Sequence, residues 1–432
     1  MSGQGGKILS ARFGRPDGHR LKVYEAEGGY QALRQVLGEL APDQVIELVK
    51  ESGLRGRGGA GFPTGVKWGF VPKDADQVYF FVNADESEPG TFKDRYLMDY
   101  DPHQMIEGTI LSSFAVRANL AFIYIRGEFG WLIDRVQKAV DEAYAAGYLG
   151  KDILGSGYEL DMIVHKGAGA YICGEETGLI NSVTGTKGQP SIKPPFPAVS
   201  GFLGKPTIVN NVETVAAVPW IVTHGAAAYR QFGTEKSPGT KLWSVSGPVK
   251  NQGVYEVPLG LPFAEFFRDQ LGGMRDGEQF KACIVGGSSV PVLTAEEMMA
   301  CDLDYESLQE AGTMLGSGGM IIVPQSADMV ELIRVLMHFY WDESCGQCTP
   351  CREGTGWLHR LVGKLLKGEG VAEDLELFDK VCQGMGGLTI CPLADAAVMP
   401  MQSFLKRFRP EFEARIHETA TPGSSSRWAR GE

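Results

Sequence analysis

The chain has 432 residues, 43% of them hydrophobic and 22% charged, the balance of an ordinary soluble globular protein too long for one core. Its 41 Lys and Arg against 53 Asp and Glu leave a formal charge of −12, which argues against a phosphate backbone, and so nucleic acid, as partner. No apolar run reaches the ~18–20 residues that span a bilayer; the nearest, residues 106–125, is interrupted by Glu107, Ser112, Ser113, Arg117 and Asn119. Residues 1–18 lack the apolar centre of a secretory signal, although Lys7, Arg12 and Arg15 precede the first acid and leave a short organellar presequence open. In the cytosolic, reducing compartment that remains as the default, eight cysteines do not imply a disulfide framework.

Taken in order, residues 21–24 form a short apolar segment and residues 30–40 a helix-like one. Residues 41–52 read as a helix, with Pro42 near its first turn and Val45, Ile46 and Val49 on one face. A dense glycine stretch follows: Gly56-Arg57-Gly58-Gly59-Ala60-Gly61-Phe62-Pro63-Thr64-Gly65-Val66-Lys67-Trp68. Such density suits neither a helix interior nor a sheet core, and bare N–H groups beside Arg57 and Lys67 suit a phosphate-bearing ligand. The match to the dinucleotide fingerprint is weak, because that pattern requires a preceding strand and here a helix precedes it. An exposed flexible loop is the bland alternative.

Residues 77–82 read as a buried strand. Asp85, Glu86 and Glu88 crowd directly after its carboxyl end, where open α/β sheets place ligand groups; a solvated acidic turn is the plainer reading. A helix at about 105–116, a strand at 120–126, a helix at 131–144 and a strand at 158–164 continue the alternation of a parallel or mixed sheet covered by helices. The last strand opens into a second glycine cluster, residues 167–177, with a helix from near Glu175 whose N-terminus suits a phosphate. Glu175 and Glu176 would equally serve that helix end's dipole. Residues 187–206 are a Pro/Gly-rich loop. Asn210 and Asn211 then end a short apolar run, where they could meet a ring edge or ribityl chain, or cap the helix from about Val212.

From about Lys241, short strands at 242–246, 254–257, 281–285 and 320–323, with a helical segment at 263–270, read as a small α+β domain that offers no acid–base or nucleophile set. Cys283 and Cys301 there read as small buried hydrophobes. Beyond about Ser326 the chain turns helical. Stripes through Val330, Ile333, Met337 and Tyr340, through Trp357–Leu365, through Leu375, Phe378 and Val381, and over residues 397–416 suggest a bundle. The tail from Glu418 reads as disordered.

The most specific signal is Cys345-x₂-Cys348-x₂-Cys351. Three thiolates at this spacing fold around one corner of a [4Fe–4S] cube, and Cys391, followed by Pro392, is the natural remote fourth ligand. Structural zinc prefers paired knuckles, and a redox Cys-x-x-Cys has no use for a third cysteine. Cys382 reads as core and is the next candidate should Cys391 not serve. A phosphate-binding front half joined to a one-electron centre needs something that splits an electron pair, which a flavin does. The residues thus suggest an NAD(P)H:acceptor flavo-iron–sulfur module in which the carboxylates position nicotinamide, ribose and water.

The glycine stretch, residues 83–95, 167–177, 193–197 and 210–214, and the four cysteines together resemble the NADH-binding flavoprotein subunit of respiratory complex I, over residues of about 28–415. The resemblance implies a multidomain α/β fold: a Rossmann-like FMN- and NADH-binding domain (1–240), a ubiquitin-like, soluble-ligand-binding β-grasp domain (241–325) and a C-terminal four-helix bundle holding [4Fe–4S] (326–417). It implies that Gly56, Arg57, Gly58, Gly59, Ala60, Gly61, Gly65, Lys67 and Asn83 line the flavin and NADH pocket. Asp85, Glu86 and Glu88 would contact flavin or the nicotinamide–ribose side, while Phe62, Phe70 and Phe196 would clamp adenine. Tyr171, Gly174, Glu175, Glu176, Asn210, Asn211 and Thr214 would complete the non-covalent FMN site, with Glu88 and Glu176 as the catalytic pair. Cys345, Cys348, Cys351 and Cys391 would hold the cluster. It further implies NAD(H) as substrate, a thioredoxin-like [2Fe–2S] subunit and a large iron–sulfur subunit as partners, and quinone as final acceptor. The chain would sit peripherally on the cytoplasmic side of a bacterial inner membrane, or on the matrix side in a mitochondrion, attached only through partners. The diaphorase subunit of an NAD-dependent hydrogenase or formate dehydrogenase resembles the same module, and an iron–sulfur scaffold without flavin is the non-catalytic alternative.

Overall fold

The computed structural model describes residues 7–416, so the expected disordered tail lies outside the described residues. Four helices precede the first strand: α1 (Leu21–Ala26), α2 (Gln31–Glu39), α3 (Pro42–Ser52) and α4 (Thr64–Trp68). Pro42 starts α3, where its missing N–H costs nothing, and Gly53 ends it at φ 70°. The glycine stretch spans the gap to α4.

The alternation that follows is β1 (Tyr79–Ala84), α5 (Asp94–Tyr100), α6 (Pro102–Ala115), β2 (Leu120–Ile125), α7 (Gly130–Ala145), β3 (Asp161–Lys166), α8 (Glu176–Val183), β4 (Thr207–Asn211), α9 (Val212–His224) and α10 (Ala226–Tyr229). The four strands form one parallel sheet in the order β3-β2-β1-β4. The chain therefore runs outward from β1 to β3 and returns on the other side of β1. That reversal puts a switch point between β1 and β4, whose carboxyl ends are in register, Val82 opposite Asn210 and Asn83 opposite Asn211. The third strand starts at Asp161, later than the expected residue 158, because Leu160 is taken by a bridge to Gly150.

Helix α6 is buried on every side except at Phe114, since it lies between the sheet, α7 and α9. Its Glu107 is tolerated there because its carboxylate accepts from Tyr24 Oη (2.5 Å) and from the backbone N–H groups of Tyr30 (2.9 Å) and Leu33 (3.1 Å), which ties down the start of α2.

A second, mixed sheet contains β5 (Thr240–Ser246), β6 (Gly253–Pro258), β7 (Phe280–Ile284), β8 (Leu293–Thr294) and β9 (Gly319–Pro324), in the order β6-β5-β9-β7-β8. Only β5 and β9 run parallel within it. Its helices are α11 (Phe263–Glu265), α12 (Ala295–Met299) and α13 (Tyr305–Glu310), and the expected helix at 263–270 continues from α11 as a single π turn over Phe266–Gln270. The two-residue β8 carries too few residues to show a period.

The helical part consists of α14 (Met329–Glu343), α15 (Thr349–Leu366), α16 (Ala372–Gln383) and α17 (Leu393–Arg407), with the short α18 (Arg409–Glu413) after it. The expected helix over 397–416 is corrected at both ends: it begins at Leu393, directly after Pro392, and breaks at Phe408 (φ −119°, ψ 26°) before α18, which has Pro410 in its first turn. One face of the parallel sheet packs on α2, α3, α6, α7 and α9. Its other face, through Phe81, Phe122 and Tyr124, shares a core with α8, with Ala282 and Ile284 of β7 and with the helical part. That shared core brings the three parts together at the carboxyl end of β1.

The contact between α6 and α9 sets a sharp steric limit. A Cβ at Gly108 would lie 2.0 Å from the Val215 carbonyl oxygen, backbone that has nowhere to move. Gly108→Ala is expected to lower stability by about 1–3 kcal/mol, read as a drop in the denaturant midpoint at unchanged slope.

Candidate functional site

A cavity of about 510 Å³ opens at the switch point, within the size range of small-molecule sites. The parallel-sheet part supplies Gly58, Gly59 and Ala60 from the glycine loop, and Asn83, Asp85, Glu86 and Glu88 from the end of β1. It adds Lys93 and Asp94, Tyr171, Gly174 and Glu175 from the second glycine cluster, and Asn211. The mixed sheet adds Gly286, Ser289 and Ser317, and the helical part adds Cys391, Pro392 and Leu393. The glycine loop can lie here because Gly58 has no side chain: a Cβ would stand 2.9 Å from that of Asn211, whereas one at Gly59 would meet nothing within 4 Å. Asn83 donates from Nδ2 to the Gly174 carbonyl at 2.8 Å, which pins the second glycine cluster to the end of β1.

The three acids differ in their roles. Glu88 accepts from Tyr171 Oη (2.7 Å), the Ser289 N–H (2.7 Å) and Ser288 Oγ (3.3 Å); burial still raises its pKa against those bonds. Glu86 accepts from the N–H groups of Asp94 (2.7 Å) and Arg95 (3.2 Å) and from Arg95 Nε (2.7 Å), so it closes the amino end of α5. Burial, then the nearby Asp94, raises its pKa. Asp85 is held by Ser87 Oγ at 3.2 Å; burial lifts it to about 7, with Arg126 acting in the opposite direction.

Several expected residues stand behind the cavity wall, and others on it, Asn211 and Glu175, also serve as helix caps. Arg57 is 1% exposed and donates to Tyr305 Oη (3.3 Å), Tyr229 Oη (3.2 Å) and the Pro238 carbonyl (3.0 Å), while its own N–H donates to Thr214 Oγ1 at 2.9 Å. Arg57 and Thr214 thus hold the loop from beneath. Asn210 accepts from Trp68 Nε1 (2.8 Å), Asn211 caps α9 through the Glu213 N–H (3.0 Å), and Glu175 caps α8. Gly56, Gly61 and Gly65 also lie off the wall; a Cβ at Gly65 would press on the Lys50 backbone at 2.5 Å, so Gly65 lets α4 pack on α3. Lys67 and Glu176 pair at 3.1 Å beside the cavity. Phe62 and Phe70 lie with centroids 6.0 Å apart and planes tilted by 47° and, with Phe196, remain exposed at 47%, 53% and 59%; among the described residues Phe196 makes no ring contact with either.

Sequence reasoning singles out neither Lys93 nor Lys193. Lys193 bridges Glu175 and Glu176, at 2.8 Å each, extending the pair with Lys67 into a row of alternating charges. Lys93 is fully buried on the cavity wall, paired at 2.8 Å with both Asp94 and Glu213. Burial works against its charge and these carboxylates outweigh it, so its pKa is raised. Glu213 also takes Lys241 Nζ at 2.5 Å, and burial draws Lys241 down to about 7. A signal for both lysines is present in the sequence: each lies in a motif stretch, residues 83–95 and 193–197, where acids and prolines dominate the pattern.

The cysteines gather beside this cavity. Ser344 Oγ lies 3.2 Å from Cys351 Sγ, and the Ile390 N–H points at Cys348 Sγ (3.4 Å), bringing the remote cysteine's neighbour onto the Cys-x₂-Cys-x₂-Cys turn. Burial raises the Cys391 thiol to about 12, and Cys351 and Cys345 add to that rise. Cys382 is buried in α16, where after burial the charge that acts on it is Asp379. Among the described residues, no three His, Cys, Asp or Glu side chains close on a single metal-ion position.

The Nuo51 FMN-binding domain model matches residues 49–220, and that of the NADH-ubiquinone oxidoreductase-F iron-sulfur binding region matches residues 331–415. The NADH-quinone oxidoreductase F subunit numbered 2 of Rhizobium meliloti (strain 1021) is 50% identical over 96% of this chain and 99% of its own length. The chain belongs to the NADH-quinone oxidoreductase F-subunit family. The Streptomyces coelicolor F subunit is 47% identical over 98% of this chain and 94% of its own. Among solved structures, the H2-reduced NAD+-reducing [NiFe]-hydrogenase aligns with a TM-score of 0.84 at 34% identity, over 93% of this chain and 68% of the hydrogenase chain. The multidomain α/β fold and its Rossmann-like parallel sheet are therefore shared with that hydrogenase. Residues 221–330, the mixed sheet included, lie between the regions that the two family models match.

Two outcomes test the geometry. Asp85 with a folded pKa of about 7 binds its proton more tightly folded than unfolded. The stability it contributes is present below the ordinary carboxylate range and is lost as pH rises towards about 7. In the protein freed of cofactors, Asp85→Asn is expected to flatten that decline, measured as denaturant midpoints between about pH 4 and pH 8. Lys93→Met leaves Glu213 and Asp94 short of a buried partner and is expected to cost about 3–5 kcal/mol, seen as a lowered unfolding midpoint.

Proposed function

We propose that this chain is the electron-entry subunit of an NADH:quinone oxidoreductase, taking hydride from NADH at FMN and passing electrons singly through a [4Fe–4S] cluster. The observation that carries the reading is one cavity whose wall runs from the glycine loop and the end of β1 to Cys391. The residues fit both groups. The open space over Gly59 and the converging polar groups suit a phosphate-bearing ring system, and three clustered thiols with a remote fourth, trailed by proline, suit the cube. FMN, when bound, accepts two electrons as hydride and releases them one at a time.

The chain's residues do the rest. Gly58, Gly59 and Ala60 offer backbone N–H groups to the flavin, and Asn83, Asn211, Tyr171 and Gly174 frame it. Lys93 brings a fixed positive charge to the wall, a counterpart for negative charge that builds up there. Glu88, fixed by three donors, and Glu176, held by Lys67 and Lys193, position the nicotinamide end. The exposed Phe62, Phe70 and Phe196 take the adenine, which would give those rings a reason to stand in solvent. Arg57, Thr214 and Asn210 support the pocket from behind, and Cys345, Cys348, Cys351 and Cys391 hold the cluster.

This reading divides the chain into residues 1–240, 241–325 and 326–417. The strand order β6-β5-β9-β7-β8, with its central parallel pair, supports a ubiquitin-like β-grasp for the second unit, and α14 to α17 support a four-helix bundle for the third. A thioredoxin-like [2Fe–2S] subunit and a large iron–sulfur subunit are the proposed partners. Among the described residues no helix is long and apolar enough to cross a membrane, which agrees with attachment through partners on the cytoplasmic side. A hydrogenase diaphorase is the second reading, favoured by the structural likeness. Identity of 50% across 99% of an F-subunit relative, against 34% across 68% of the hydrogenase chain, supports the quinone-linked assembly.

The test is to purify the full chain, quantify released FMN and iron, and follow ferricyanide reduction by NADH. Cys348→Ala is expected to lose iron and keep flavin; Glu88→Gln and Lys67→Ala are expected to lower kcat/KM for NADH at least about tenfold. Absence of flavin, or activity indifferent to all three substitutions, would sink the reading.

A further inference from the structure

Tyr305 opens α13 in the mixed-sheet part, yet it is built into the glycine loop of the parallel-sheet part. Its hydroxyl donates to the Gly56 carbonyl at 2.9 Å and accepts from Arg57 Nη1 at 3.3 Å. The Arg55 guanidinium lies over its ring, 3.7 Å from the centroid, and is turned there by Glu306 at 2.7 Å. On the returning limb of the loop, Gly61 sits at φ +65°, and a Cβ on it would stand 2.4 Å from the same ring. Residues 55–57 and 61 therefore close on one side chain from both directions. The three residues between them, Gly58, Gly59 and Ala60, are the ones that line the cavity. A tip of two glycines and an alanine has almost no side chain with which to hold itself, and glycine has the most conformational freedom to lose. Its order must come from the limbs.

The geometry points to Tyr305 as a positioning residue that fixes the loop tip for FMN, so that flavin retention depends on a residue of the neighbouring unit. This rests on the flavin reading of the cavity. The hydroxyl matters more than the ring's bulk. Without it, buried Arg57 loses one of its three side-chain acceptor contacts and the Gly56 carbonyl loses its donor, while the ring still fills the space under Gly61. The loop then drifts, and the N–H groups at its tip lose alignment. Chemistry in a loaded site is affected less than loading itself.

Full-length wild type and Tyr305→Phe, both loaded with FMN, are diluted, and release is followed by the rising fluorescence of free FMN. Amide hydrogen exchange is read over residues 56–61 in the same samples. Tyr305→Phe is expected to release FMN about tenfold faster, since a hydrogen bond to a charged group is worth about that factor. Loop amides should exchange faster, and KM for NADH should rise while kcat of the loaded fraction stays within about twofold. A variant that melts at lower temperature but releases FMN at the wild-type rate would show Tyr305 to be a packing residue only. Should Tyr305→Phe fail to accumulate, Arg55→Met, which removes the stacked cation and its Glu306 tie but leaves the tyrosine, must also hasten release; an unchanged rate overturns the proposal. A wild-type protein that takes up no FMN fails differently, because it removes the flavin reading before the loop is tested.

Discussion

Glu88 receives its hydrogen bonds from two different parts of the chain and reaches the third through one more. Tyr171 Oη belongs to the parallel-sheet part, the Ser289 N–H and Ser288 Oγ to the mixed sheet, and Ser288 Oγ is itself 2.7 Å from Tyr340 Oη on α14 of the helical part. The approach is so close that residue 287 must be glycine: at φ +94°, a Cβ there would stand 2.5 Å from Glu88 Cγ. A buried carboxylate that loses a donor bears the desolvation penalty of that group, so each part is held to the others by the cost of separating them. The cavity is the space left where these contacts converge.

The Lys93, Glu213 and Lys241 cluster repeats this principle, with Lys93 on the cavity wall. Glu213 starts α9, Lys241 lies on β5 of the mixed sheet, and Lys93 comes from the segment after β1, all fully buried. Burial opposes ionisation of Glu213, but Lys241, Lys93 and Arg57 outweigh it and keep its carboxylate charged. Such a group adds little net stability over a well-packed apolar cluster, and taking one member away is expensive. Its value is geometric: it fixes where the mixed sheet sits against the parallel one while leaving a cation on the cavity wall. Thr91 Oγ1 against Ser317 Oγ (2.5 Å) and the Phe92 N–H on Ser244 Oγ (2.9 Å) hold the same segment, so residues 85–94 are clamped between the sheets along their length.

What is legible in the sequence is local. The apolar runs place β1, β2 and β4 to within a few residues, and the acids after β1 stand at the switch point. What is hidden depends on partners far along the chain. Arg57, beside three glycines, reads as a phosphate ligand, and nothing nearby reveals that its acceptor Tyr305 lies 248 residues away. The mixed sheet offers no catalytic set and reads as remote, yet its turns at Gly286 and Ser317 form cavity wall. Lys93 escapes notice because a lone lysine in a charged stretch reads as solvated; only its burial changes that. The fingerprint at Gly56, Gly58 and Gly61 misleads because those glycines answer to three different neighbours, Phe62, Asn211 and Tyr305, and not to a helix that follows them.

This arrangement explains why the work is spread over the chain. The parallel-sheet part supplies most of the cavity wall but does not complete it. The mixed sheet closes it at Ser289 and Ser317, and the start of α17 closes it at Cys391, Pro392 and Leu393. Pro392 fits there because it precedes α17, where a missing N–H is harmless, and Ala396, one turn on, keeps the helix close to the wall. The glycine loop and Cys391 thus line one cavity, and its walls come from all three parts of the chain. The buried hydrogen bonds at Glu88 and the charges at Glu213 hold those walls together, while Gly58 and Gly59 keep the space between them open.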